Sequence, residues 1–126
     1  MLAKQIVLKE TTENAWTNKP EMDLHRCPVR ATVNVLRGKW KPLILYFLKG
    51  GQRRYGDLRG QLKGASEKVL VEQLRQLEQD GVVQRVVYPE VPPRVEYLIT
   101  TYGYTLIPVL QQMADWGAGH RERRGS

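Results

Sequence analysis

The chain of 126 residues holds one cysteine, one phenylalanine and two histidines, and each scarcity excludes something. A single Cys27 cannot build an internal disulfide framework, which fits a reducing cytoplasm. His25 and His120 are the sole imidazoles. There is no Gly-x-Ser-x-Gly elbow, no Walker-type phosphate loop and no acid pair beside a nucleophile, so catalysis is not expected. His25-x-Cys27 offers two ligands where a structural zinc needs four, so neither a metal nor a cofactor is expected. The longest unbroken apolar run, Leu43 to Leu48, falls far short of the roughly 20 residues of a membrane span. Nor does the start, MLAKQIVLKETTENAW, show the charged, apolar and small-residue regions of a secretory signal. The expected setting is cytoplasmic, with no membrane partner.

What the chain has is positive charge, unevenly placed. Lys and Arg number 20 against 13 Asp and Glu, net +7. Residues 26 to 75 carry twelve basic side chains against Asp57, Glu67 and Glu72. A local excess of that size, built around successive short helices, is the electrostatic footprint of a nucleic-acid binder.

Residues 1–24 show weak periodicity and read as an N-terminal arm; 25–118 read as one ordered domain; 119–126 read as a basic tail. Pro28 suits a first helical position, and Val29, Val33 and Leu36 then share a face up to Gly38. Trp40 to Leu48 predicts a second helix closed by Gly50-Gly51, with Pro42 tolerated in its first turn. Tyr55, Leu58 and Leu62 predict a third, and Lys63-Gly64-Ala65 a turn of helix-turn-helix length. Ser66 supplies a cap oxygen for a helix with Leu70, Leu74 and Leu77 on one stripe, ended by Gly81. Val82–Tyr88 and Val95–Ile99 predict a two-stranded hairpin whose tip, Pro89 to Arg94, cannot pair. Thr100 caps a final helix, bent at Pro108, that presents Ile107, Leu110, Met113 and Trp116.

The fold class expected is α+β, mainly α: a winged helix-turn-helix with a two-stranded hairpin wing and a C-terminal dimerisation helix. Opposite the leucine stripe, at about 100° per residue, lie Lys68, Glu72 and Arg75, flanked by Val69 and Val71. Long polar and short apolar side chains together suit base edges and thymine methyl groups. The expected DNA-binding set is Ser66, Lys68, Val69, Val71, Glu72 and Arg75 on the reading helix. Lys39, Lys41, Arg53 and Arg54 are expected on phosphates, and Arg94 at the minor groove. Val29, Val33, Leu36, Ile107, Leu110, Met113 and Trp116 form the expected dimer interface.

Several strings, in this order, resemble the HxlR-type branch of the MarR-like winged-helix transcriptional regulators: Cys27-Pro28-Val29, Gly38-Lys39-Trp40-Lys41, Arg54-Tyr55-Gly56-Asp57-Leu58, Ser66 to Leu70, Leu74 to Gly81, Pro92 to Tyr97 and Trp116-Gly117. Ala65 and Val71 depart from the pattern, where a larger aliphatic residue and Thr are usual. The resemblance implies a homodimer that binds double-stranded DNA near promoters, read as a repressor on a pseudo-palindromic operator. It also suggests a sensor role for Cys27, toward a small oxidant or electrophile as effector. That role fits a thiol at a helix start between Arg26 and Arg30, conditions that favour an anionic sulfur. An inert, well-packed thiol is the plainer reading. A winged-helix module for protein or RNA is the competing class, and the basic face at Lys68 and Arg75 argues against it.

Overall fold

The computed structural model describes residues 26–125; the arm 1–24, His25 and Ser126 lie outside them. The chain divides into two compact units between Arg37 and Gly38.

In the first unit, α1 (Pro28–Leu36) opens with Pro28 at its first position and Cys27 as its cap residue, without a side-chain cap bond. The Cys27 carbonyl accepts the Ala31 N–H at 3.1 Å, and the Thr32 hydroxyl returns to the Pro28 carbonyl at 3.3 Å. Val29 and Val33 are exposed, whereas Leu36 is buried.

The second unit begins with α2 (Lys41–Leu48), whose Ile44, Leu45 and Leu48 lose all exposure. A two-residue strand, β1 (Arg53–Arg54), runs without a linker into α3 (Tyr55–Gln61), with Arg54 as the helix's cap residue. The helix α4 (Glu67–Gln79) starts where Ser66 Oγ accepts the Val69 N–H at 3.1 Å. It ends at Gly81, whose φ of 78° is left-handed and suits glycine. Leu70, Leu74 and Leu77 are fully buried, as the stripe predicts. With Ile44, Leu45, Leu48 and Leu58 they make the core, each worth about 1.5–3 kcal/mol relative to exposure. Helix α2 packs on α4, and α4 packs on the sheet.

The wing differs from the expected two-stranded hairpin. β2 (Val83–Tyr88) and β3 (Arg94–Ile99) pair antiparallel, and β1 adds to the other edge of β3, giving the order β1-β3-β2. Arg53 stands opposite Tyr97, and Arg54 opposite Glu96. Two residues carry no alternation, and their pairing is made with a strand some forty residues away.

The C-terminal region also differs. Thr100 Oγ1 accepts the Gly103 N–H at 2.8 Å and caps a four-residue helix, α5 (Thr101–Tyr104). A separate helix, α6 (Ile107–Arg123), follows with Pro108 in its first turn, so the proline starts a helix instead of bending one. The helix continues through most of the expected 119–126 tail, and His120, Arg121 and Arg123 complement its C-terminal dipole. Between α5 and the sheet the backbones nearly touch: a Cβ on Gly103 would collide with the Val82 carbonyl.

Candidate nucleic-acid interface

Helix α4 turns its leucines inward and leaves Ser66, Lys68, Val69, Glu72 and Arg75 exposed, with Val71 half-buried. The Ser66 hydroxyl is committed to the helix cap. Arg75 Nη1 donates to Glu72 Oε1 at 2.9 Å, and Gln76 Nε2 donates to Glu72 Oε2 at 3.2 Å. Both partners of the ion pair are about half exposed, so the pair adds little to stability. It can open without much cost. Glu72 thus holds Arg75 in one pose.

Between α4 and the sheet lies a cleft of about 460 Å³, walled by Glu67, Val71, Arg75 and Glu78 on the helix, by Arg85, Val95 and Tyr97 on the strands, and by Tyr55. Tyr97 is buried. Burial pushes its hydroxyl pKa up, and the nearby Arg85 charge and hydrogen bond pull it only part of the way back. Arg85 is exposed and stands opposite Tyr97 in the register. Sequence reasoning gave it no role. Strand alternation puts Val83 and Arg85 on one face, and that was the available signal.

Arg94 overturns its expected placement. It belongs to β3 and not to the tip, and its side chain is mostly covered. Nη1 donates to Glu96 Oε2 at 2.7 Å, Nη2 donates to Glu90 Oε2 at 3.0 Å, and the guanidinium stacks 3.8 Å from the Tyr88 ring centre. Desolvation lowers its pKa, but the bonds and charges of Glu90 and Glu96 outweigh that, for a net rise. Two carboxylates and a ring occupy the group that was expected in the minor groove. The wing tip instead offers Val91, fully exposed between Glu90 and Pro92.

The expected phosphate contacts divide. Lys39 is exposed, its ammonium 4.9 Å from the Trp40 ring centre. Lys41 is 4% exposed, and a covered ammonium cannot reach a phosphate, so its assignment is corrected. Arg53 is exposed, with Nε donating to the Phe47 carbonyl at 3.2 Å. The Arg54 side chain is exposed, with Nε 3.8 Å from Glu96.

Of the expected dimer residues, Leu36 is buried within its own chain and is no surface residue. Val29, Val33, Met113 and Trp116 are exposed; Ile107 and Leu110 are half-buried. Helix α6 has no buried residue along its 17 positions. A groove of about 340 Å³ between α2 and α6 is lined mainly by Pro42, Leu45, Tyr46, Ile107, Leu110 and Met113. Cys27 is half-buried. Among the described residues no group of three or more His, Cys, Asp or Glu could hold a metal ion, and no helix is long and apolar enough to cross a membrane.

Comparison with known proteins agrees with this geometry. The HxlR-like helix-turn-helix family model matches residues 35–124. The chain is 44% identical over 101 residues to the HTH-type transcriptional regulator YdeP of Bacillus subtilis, covering 80% of this chain and 79% of that protein. The redox regulator HypR in its reduced form superposes with a TM-score of 0.72 at 42% identity, covering 75% of this chain and 93% of that one. The reduced form of the regulator YodB from B. subtilis superposes with a TM-score of 0.65 at 35% identity, covering 71% and 89%. A winged helix-turn-helix chain so similar over most of its length belongs to the HxlR-like family of transcriptional regulators.

Proposed function

We propose that the protein is a cytoplasmic repressor that binds a pseudo-palindromic operator as a homodimer, one α4 in each of two successive major grooves. The observation that carries this is the outward face of α4, where Lys68, Val69, Glu72 and Arg75 stand exposed beside the sheet. Lys68 and Arg75 suit guanine edges, Glu72 a cytosine amino group, and Val69 a thymine methyl. Lys39, Arg53 and Arg54 supply sequence-independent phosphate contacts. A dimer parked on promoter DNA excludes polymerase, which is repression in its simplest form.

Dimerisation is supported by α6. Its sequence includes Gly117 and Gly119, each costing about 1 kcal/mol in a helix interior, and none of its residues is buried. A helix so composed needs a partner to stay formed. Genome-wide mapping of bound sites, followed by a reporter under the mapped promoter with and without the protein, tests the whole reading. Bound sites without inverted symmetry, or a reporter that rises with the protein, overturn it.

A redox input through Cys27 is a second reading, favoured by likeness to HypR, solved in oxidised and reduced forms, and to YodB, solved in reduced and diamide-treated forms. One cysteine per chain limits the product to an intersubunit disulfide, a mixed disulfide or an adduct. Operator affinity before and after diamide, for wild type and Cys27→Ser, decides it. Unchanged wild-type affinity with the thiol shown by mass spectrometry to have reacted leaves Cys27 structural.

A further inference from the structure

We infer that Arg85 forms a phosphate seat in the cleft between α4 and the sheet, holding the DNA strand that separates the groove read by α4 from the groove beside the wing. The inference rests on the DNA-binding reading above and adds a contact that neither sequence pattern nor family likeness assigned.

The geometry comes from the two molecules together. In B-DNA every major groove is divided from the next minor groove by one phosphate strand. A body with a helix in the first and a hairpin tip at the second must straddle that strand, so the strand crosses whatever lies between helix and hairpin. Here that space is the cleft, walled by α4 on one side and β2-β3 on the other. Its strand-side cation is Arg85, exposed and opposite Tyr97 in the register.

Chemistry favours the same residue. A guanidinium presents parallel N–H donors that match two phosphate oxygens, and is less strongly hydrated than an ammonium. Tyr97, buried opposite Arg85 in the register, positions the guanidinium through a hydrogen bond. The opposite wall explains why the seat prefers polymer to free anion. Glu67 and Glu78 share the cleft with Arg75 and Arg85, leaving it close to neutral. A lone phosphate ion gains little there, whereas a duplex already docked on α4 delivers its phosphate at high local concentration.

The test uses the full chain and two duplexes, a mapped operator and a random sequence, with affinity measured across a salt series. Arg85→Ala should weaken both duplexes by about tenfold and flatten the slope of log affinity against log salt by about 0.9, the counterion share of one phosphate. Arg85→Lys should keep the slope and recover part of the affinity. A merely structural Arg85 would lower the melting temperature and leave the slope intact, and that result overturns the seat. So does Arg85→Ala with unchanged affinity, or Arg85→Lys flattening the slope as much as Ala does. Lys68→Ala separates the two levels. If it weakens operator binding while Arg85→Ala is silent, the seat alone fails; if both are silent, α4 does not read DNA and the functional reading fails first.

Discussion

Arg94 and Tyr88 face each other across the two strands of the wing, with the guanidinium carbon 3.8 Å from the ring centre and the backbones in register. The same guanidinium bridges Glu90, just before the tip, to Glu96 on its own strand. Glu96 also accepts Gln52 Nε2 at 2.5 Å, and Gln52 reaches the Tyr88 hydroxyl at 2.9 Å. The wing is held from within by a closed polar network.

That network should behave as a strut for the wing. Glu96→Ala removes one partner from Arg94 and one from Gln52 together. Hydrogen exchange should quicken in β2, β3 and the tip, with α2 and α4 unchanged, and operator affinity should fall by less than Lys68→Ala lowers it. Uniform protection across the wing in the variant would show that the strands hold without the network.

Base reading and phosphate holding should separate by salt. Arg75→Ala is expected to cost roughly 1–3 kcal/mol on the operator and to relax preference at one or two base pairs. Arg53→Ala should weaken all duplexes alike and flatten the salt slope by about one unit. Equal losses on operator and random DNA from both variants would collapse the distinction. Competition assays on a set of operators with single base changes provide the measurement.

Packing makes its own prediction at Gly103. A methyl there meets the Val82 carbonyl and the Ile99 side chain, so Gly103→Ala should destabilise by about 1–3 kcal/mol. Gly60→Ala, where nothing stands within 4 Å, should instead be neutral or stabilise by up to about 1 kcal/mol. Urea melts of both variants check the pair, and equal midpoints would mean that the β3–α5 junction is softer than it looks.

Assembly is checked by scattering mass at micromolar concentration. Wild type should give twice the chain mass, and Met113→Asp with Trp116→Asp should give a monomer with reduced helical circular dichroism, because α6 loses its cover. A monomeric wild type both free and on DNA would remove α6 from the interface.

Local features were legible in the sequence because each depends on a few neighbouring residues. The Ser66 cap, the leucine stripe of α4 and the left-handed Gly81 stand where the pattern put them. What stayed hidden depends on register. Arg53-Arg54 becomes a strand only because β3 offers an open edge. Arg94 turns from a tip cation into an internal strut only because pairing sets it against Tyr88. The place of Arg85 in the cleft was hidden the same way, since strand periodicity chooses a face without telling what lies opposite. Lys41 was misjudged because a basic residue in a first helical turn looks exposed until the fold covers it. The split between α5 and α6 was missed because Thr100 and Pro108 each mark a helix start, and a single helix absorbed both.

Arg54 closes β1 and is the cap residue of α3, so the first helix of the helix-turn-helix follows, with no residue between, the edge strand that pairs with the central strand of the wing. Joined this directly, α3 and the sheet are expected to move together. Such a joint suits one side of a caliper jaw. In the proposed homodimer, a signal that alters operator choice would then act on the distance or angle between two such jaws.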